Sequence, residues 1–422
     1  MITKEILRGI VIQQKSEIFM KEATVKRELL EAVLQTFQDR RIIILTGIRR
    51  SGKSTLLKQI MQHKSGFCYV NFEDERFIDF KASDFEQLNE VLIEVYDNPK
   101  IYFFDEVQNI AQFETFVRRL QDQDKKVILT GSNASLLSKE LGTKLTGRYK
   151  SFEVYPFSFP EYLSFKGVFG GDKHHKEWFY VPEKKVKLIK AFEAYCLKGG
   201  FPEYLKNDDK EYIRTLFENI LYRDIIARYA IRRQKLLREL VNILATNIAC
   251  LFTYNSLKKS LGLANAITVK EYISYLGNSY LFFELPKFDF SIRRQLGSPK
   301  KIYLVDPAFH FLGLNFSMNK GNILENIVFV ELKRRNKEAY YYSHIHECDF
   351  VIKEGTRIRE ALQVCYSLNK ENRQREFNGL LEAMAYFKLK NGMILTQEQE
   401  EVHSIKNKKI KVMPIWKWAL LR

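Results

Sequence analysis

The chain has 422 residues, 45% of them hydrophobic and 28% charged. That is too long for one ordinary core and fits a soluble protein of two or three domains. No run approaches the ~18 uninterrupted apolar residues of a membrane span. The opening MITKEILRGIVIQQKSE lacks a secretory core and cleavage site, so a cytoplasmic protein with no membrane partner is expected. Lys and Arg number 68 against 51 Asp and Glu, and the net charge of +17 points to a polyanionic partner, nucleic acid first. Five scattered cysteines with no C-x-x-C pair exclude a disulfide framework or zinc site.

In chain order, Val25, Leu29, Leu30, Val33, Leu34 and Phe37 recur at helical spacing and predict a helix over 21–38. The β-favouring run Ile42–Leu45 then enters Gly47-Ile48-Arg49-Arg50-Ser51-Gly52-Lys53-Ser54 and a helix from Thr55. Strand, glycine-rich loop and helix with G-x-x-x-x-G-K-[ST] spacing form a phosphate-binding loop. Gly47 and Gly52 allow the backbone to wrap a phosphate, and the helix aims its positive end at the same oxygens. Arg49, Arg50, Ser51 and Thr55 complete the nucleotide-binding stretch, Lys53 reaches the β- and γ-phosphates, and the Ser54 hydroxyl is placed for Mg²⁺.

Strand 67–72 and helix 85–96 lead to IYFFDEVQNI, a buried strand from Ile101 that ends in two carboxylates. Ligands bind at that end of an open α/β sheet. Asp105 is expected in the Mg²⁺ shell, and Glu106 is expected to orient and deprotonate the attacking water. The strand Lys126–Thr130 runs into Ser132 and Asn133, where either side chain would sense the γ-phosphate or simply cap a turn. Arg148, in Leu145-Thr146-Gly147-Arg148, is a candidate for stabilising transition-state charge in its own or a neighbouring subunit.

Helices follow at 184–198, ending at Gly199-Gly200 as a cap and stop, at 212–230 and at 232–250. The run 254–288 reads helix, turn, helix, strand and fits a winged helix-turn-helix, in which Lys258, Lys259 and Lys270 would contact DNA phosphates. A helical module for protein contacts is the competing reading of that run. The last stretch, from about 299, has the element order of restriction-endonuclease-like folds, with Glu325 and Glu331 on a helix and Asp349 on a strand. The next strand should carry Glu-x-Lys to hold Mg²⁺ and activate water, and instead carries Gln363-Val364-Cys365. Cys365 cannot replace a cationic amine, and only Lys353 or Lys370 could supply one from elsewhere.

The succession GIRRSGKST, NFEDERF, FFDEVQN, LTGSNASLL, LTGRYKSFEVYPFSFPEYL, GGFPEYL, LYRDIIARY, YLVDPAF, GNILENIVFVEL, ECDFVI and LQVCYSL resembles the prokaryotic AAA-type ATPases with a C-terminal domain of unknown function. The resemblance covers nearly the whole chain. It implies ATP as nucleotide, Lys53, Ser54 and Asp105 as Mg-ATP ligands, Glu106 as catalytic acid, and a winged helix before a nuclease-like end. Members commonly keep Glu-x-Lys there, so Gln363-x-Cys365 argues against inherited cleavage.

The expected architecture is therefore α/β. A P-loop NTPase domain with a parallel sheet (1–165) precedes an all-α lid and winged helix (166–298) and a non-catalytic nuclease-like α/β domain (299–422). The expected function is Mg-dependent ATP hydrolysis that switches the appended modules, acting on DNA. The alternatives are a nucleotide-gated protein-interaction module with little turnover and an ATP-regulated nuclease. Sequence leaves the oligomeric state open.

Overall fold

A computed structural model describes residues 2–18, 24–133, 147–168, 175–313 and 319–421. Two compact units are present: residues 1–155 with 278–280, and residues 156–277 with 281–422. The sequence division into three differs in two places. Residues 156–165 group with the second unit, and the boundary at 299 cuts through a strand pair of one small sheet.

The first unit is built on five parallel strands, β1 (Ile42–Thr46), β2 (Phe67–Asn71), β3 (Ile101–Asp105), β4 (Lys126–Gly131) and β5 (Tyr149–Glu153), in the order β2-β3-β4-β1-β5. Both faces of the sheet are covered, which is why its strands read as continuous apolar runs. Ile42, Ile44, Val70, Tyr102, Phe104 and Leu129 face one core with Leu7, Leu92 and Phe116. Ile43, Leu45, Phe103 and Ile128 face the other with Val33, Leu56 and Ile60.

The helices of this unit are α1 (Lys4–Ile18), α2 (Leu29–Gln35), α3 (Lys53–Met61), α4 (Phe85–Tyr96) and α5 (Phe113–Asp122). Sequence reading missed α1, although Leu7, Ile10, Val11 and Gln14 keep helical spacing and are buried. The helix expected over 21–38 is cut short to α2, because residues 24–27 leave the helical path and Arg27 turns inward.

The second unit carries two sheets. Strands β6 (Leu251–Phe252), β7 (Phe282–Pro286) and β8 (Lys300–Leu304) form a small antiparallel sheet in the order β6-β8-β7. It is interleaved with helices Gln234–Thr246, Tyr254–Ser260 and Ala266–Asn278. Strands β9 (Glu338–Ser343), β10 (Glu347–Glu354), β11 (Arg357–Val364), β12 (Asn391–Thr396), β13 (Glu401–Ile405) and β14 (Lys408–Pro414) form a mixed sheet in the order β13-β14-β12-β11-β10-β9. Helix Arg373–Tyr386 closes one core against it, with Leu380, Ala383 and Met384 among Val351, Ile394, Ile410 and Val412.

The helix expected over 212–230 is instead Lys210–Asn219 followed by a π-helical stretch, Ile220–Ala227, that turns Asp224 into the interior. The glycine pair at 199–200 does more than stop a helix. A Cβ on Gly200 would lie 2.2 Å from the Phe157 carbonyl oxygen, so the pair lets the 156–160 segment pass against it.

Candidate functional site

In the first unit the loop between β1 and α3 is a left-handed turn. Gly47 has φ +150° and Gly52 φ +93°, and a Cβ on Gly47 would fall 2.0 Å from the Val154 carbonyl oxygen. Arg50 also takes a positive φ of 63° and is exposed. Lys53, 3% exposed at its side chain, donates to the Gly47 and Ile48 carbonyls at 3.2 and 3.3 Å and lies 3.3 Å from Glu106 Oε1. The Ser51 hydroxyl is buried with no hydrogen-bond partner among the described residues. A buried orphan hydroxyl beside an ammonium and a glycine turn at a helix N-terminus fits a polyanionic phosphate.

The acidic pair sits at the tip of β3. Asp105 Oδ1 accepts the Thr130 hydroxyl, and Asp105 Oδ2 accepts from Tyr69 Oη at 3.3 Å. Burial, then the adjoining Glu106 carboxylate, push Asp105 above the ordinary aspartate range, while the Thr130 and Ser54 hydroxyls and the Lys53 ammonium oppose the shift. A buried anion at the hydroxyl of Ser54 is the donor set a hard divalent cation takes. Ser54 and Asp105 would therefore hold Mg²⁺.

Glu106 adopts a left-handed φ of 50°, a conformation uncommon outside glycine and one that collects at functional sites. Its amide donates to Thr130 Oγ1 at 2.9 Å, fixing the turn. Gln108 Nε2 bonds Glu106 Oε2 and also donates to Ser132 Oγ at 3.4 Å. Burial works against the Glu106 charge, but Lys53, Gln108 and Arg49 together hold its carboxyl below the ordinary glutamate value. Arg49 is itself anchored on Glu73 at 2.7 Å.

Lys53, Ser54, Asp105, Glu106 and Ser132 thus converge, and Asn133 is buried at the same strand tip. Thr55 is half-buried in the first turn of α3. Arg148 does not join them. Its carbonyl accepts from the amide of Ile42, which places it at the amino edge of the sheet, and its guanidinium bonds Asp122 at 2.8 Å. Leu145 and Thr146, and the stretch after Asn133, lie outside the described residues. Sequence reading missed Arg27, Tyr69, Gln108 and Thr130; only the apolar strand ending at Thr130 hinted at one of them.

The second unit holds a separate charged cluster. Lys301, from β8, is 2% exposed, and its ammonium lies 2.9 Å from Glu325, 2.8 Å from Glu347 and 2.9 Å from Asp349. Although burial disfavours its charge, those carboxylates and Tyr303 hold it protonated, well above the ordinary lysine value. Gln363 accepts from the Asp349 amide and donates to Glu376. Glu331, expected with the acids, instead pairs with Arg335 at 2.8 Å. Lys353 bonds Glu338 and Lys370 is exposed, so neither supplies the amine. Burial keeps the Cys365 thiol neutral, with its pKa pushed up to about 12. Among the described residues no group of three or more His, Cys, Asp and Glu is arranged to hold a metal, and no helix is long and apolar enough to cross a membrane.

Comparison with known proteins bears on both units. The profile of a family described as an AAA domain matches residues 39–163. Profiles of two domains of unknown function match residues 189–317 and 320–418. The chain is 35% identical to Uncharacterized protein MJ1544 of Methanocaldococcus jannaschii, over all of this chain and 96% of that one. The chain belongs to the family of that protein. A Haemophilus influenzae member is 32% identical over 75% of this chain and 80% of its own length. Among solved structures, a Walker-type ATPase of Pyrococcus abyssi aligns with 18% identity and a TM-score of 0.45, over 70% of this chain and 99% of its own. In this chain the AAA match falls on the parallel five-stranded sheet with its phosphate-binding loop, and the C-terminal region carries a mixed sheet.

Proposed function

We propose that the protein is an Mg-dependent ATPase whose nucleotide state switches its second unit, and that the second unit acts on duplex DNA. The observation that carries the hydrolase reading is Glu106. Its side chain is 12% exposed and lies 3.3 Å from the Lys53 ammonium, held charged, and it is kept in a left-handed turn by Thr130. A protein that only bound nucleotide would have no use for a carboxylate so placed.

In this reading Lys53 and the loop amides hold the β- and γ-phosphates, and Glu106 orients water and accepts its proton. Mg²⁺, when bound through Ser54 and Asp105, would neutralise charge developing on the phosphates. Ser132 or Asn133 would report the γ-phosphate from the tip of β4. Lys53→Ala is expected to abolish ATP binding, measured by equilibrium titration. Persistence of tight binding in that variant would defeat the assignment of the loop.

Two features support DNA as partner. The order β6-β8-β7 of the three-stranded sheet and its interleaved helices support the winged-helix reading, in which residues 287–299 would serve as a wing. Lys259 and Lys270 are exposed on its second and third helices, Lys258 is half-buried, and the chain carries +17. The rival, a protein-interaction module, is favoured by Phe290, Ile292 and Leu296, which are 74%, 73% and 66% exposed on that wing. We further read the mixed-sheet domain as nuclease-like but non-catalytic, because the Lys301 ammonium neutralises the acids that would otherwise take a metal.

A further inference from the structure

Arg27 belongs to no motif, yet it is 3% exposed and lies directly against the phosphate loop. Its Nη1 donates to the Ser51 carbonyl at 2.7 Å and its Nη2 to the Tyr155 carbonyl at 2.7 Å, joining the loop to the segment after β5. Its own amide donates to Gln59 Oε1 at 3.0 Å, and Gln59 Nε2 donates to the Val25 carbonyl at 2.7 Å, so α3 clamps the chain that carries it. A Cβ on Gly52 would fall 2.6 Å from Arg27 Nη1. A side chain at position 52 would displace the Arg27 guanidinium from this place.

A trans peptide is planar, so its carbonyl and the next amide point in opposite directions. No cis peptide occurs among the described residues. Capture of the Ser51 carbonyl by Arg27 therefore fixes the Gly52 N–H on the side away from Arg27, where an oriented amide serves an anion. The fork geometry of guanidinium matters, because one planar group serves two carbonyls on different segments.

We propose that Arg27 is a positioning residue for nucleotide binding: it holds the Ser51–Gly52 peptide plane so that the loop presents a preformed phosphate cradle. This rests on the ATPase reading above and adds a residue that the loop motif does not contain. Arg27 touches no phosphate itself. It sets the direction of an amide that does.

The test uses the full chain, with Mg-ATP affinity, KM and kcat measured for wild type, Arg27→Met and Arg27→Gln, and melting followed by circular dichroism. Arg27→Met is expected to raise KM and Kd for Mg-ATP by roughly tenfold or more, while kcat at saturating ATP changes less than about threefold. Added guanidinium ion at low millimolar concentration is expected to restore part of the affinity, and the same ionic strength of KCl to restore none. If Arg27→Met fails to fold, Arg27→Gln, which keeps one donor, is expected to show the same rise in KM. A folded variant with affinity within about twofold of wild type overturns the proposal, as does a lowered melting temperature with unchanged KM. Wild-type protein that binds no Mg-ATP would instead remove the ATPase reading, and this assignment with it.

Discussion

At the scale of single residues, the site is a balance of buried charges. Asp105 and Glu106 adjoin in sequence and shift in opposite directions: burial opposes the charge of both, and Lys53, Gln108 and Arg49 overcome it at Glu106, while at Asp105 burial and the Glu106 carboxylate outweigh Thr130, Ser54 and Lys53. Thr130 serves both, donating to Asp105 and accepting the Glu106 amide. Thr130→Val keeps the shape and removes both bonds. It is expected to lower kcat by about tenfold or more with little change in melting, as for loss of a group that aims a catalytic carboxylate. Equal kcat in the two proteins would count against that role.

A second residue-scale expectation concerns acid. The Arg76 guanidinium, against some burial and with help from the Arg76 amide and Gln14, holds Asp74 down at about 2. Its folded value is depressed, so its contribution is present above the ordinary aspartate pKa of ~4 and is lost as pH falls toward 2. Asp74→Asn should flatten the acid limb of stability between those values, read by urea unfolding at stepped pH. An unchanged limb would show that the pair contributes nothing to stability.

At the scale of elements, the strand–loop–helix from Ile42 to Met61 shows what local sequence determines. Gly52→Ala is expected to cost both stability and ATP affinity, since φ is +93° and Arg27 stands where the methyl would go. Gly66→Ala also meets a positive φ of 66° but open space. It should cost stability of about 1 kcal/mol with ATP affinity unchanged. Loss of affinity in both would mean that general destabilisation, not the loop, is being read.

The loop and the Asp105-Glu106 tip were legible because each has its motif residues in a short contiguous stretch, although Arg27 and Thr130, which hold them, lie elsewhere. Helix α4 and strands β1 and β3 were legible for the same reason, their apolar runs being long and well bounded. What was illegible depends on distant pairing. Arg27 meets Tyr155 across 128 positions, and Lys301 meets Asp349 across 48. Arg148 was placed near the nucleotide because it follows β4 closely in sequence. The parallel pairing of β5 with β1 starts at Tyr149, and that puts Arg148 at the opposite edge of the sheet. The irregular second half of the 212–230 helix was hidden too, since its apolar spacing does not distinguish a π-helical from an α-helical turn.

At the scale of the molecule, Lys301 ties the small sheet to the acids of the mixed-sheet domain within the second unit. Removing one member of such a buried network leaves uncompensated charge, so Lys301→Met is expected to destabilise that unit by about 3–5 kcal/mol. Chemical denaturation followed by a probe in the second unit checks this; a change near zero would show the network is dispensable. The DNA reading makes its own demand. Duplex affinity should fall steeply with added salt, and replacing Lys259 and Lys270 by Ala should reduce the log–log slope by about one for each phosphate no longer neutralised. Absence of binding at low salt would remove DNA and favour a protein partner at the exposed Phe290, Ile292 and Leu296.

In the proposed function, Glu106 beside Lys53 turns a nucleotide-binding loop into a hydrolase. The direct measurement is steady-state ATP turnover by wild type and Glu106→Gln at saturating Mg-ATP, with Kd measured on the same preparations. The expected result is retained ATP binding in Glu106→Gln, with turnover lower by roughly a hundredfold or more. Turnover equal to wild type, with ATP bound, would remove Glu106 from the chemistry.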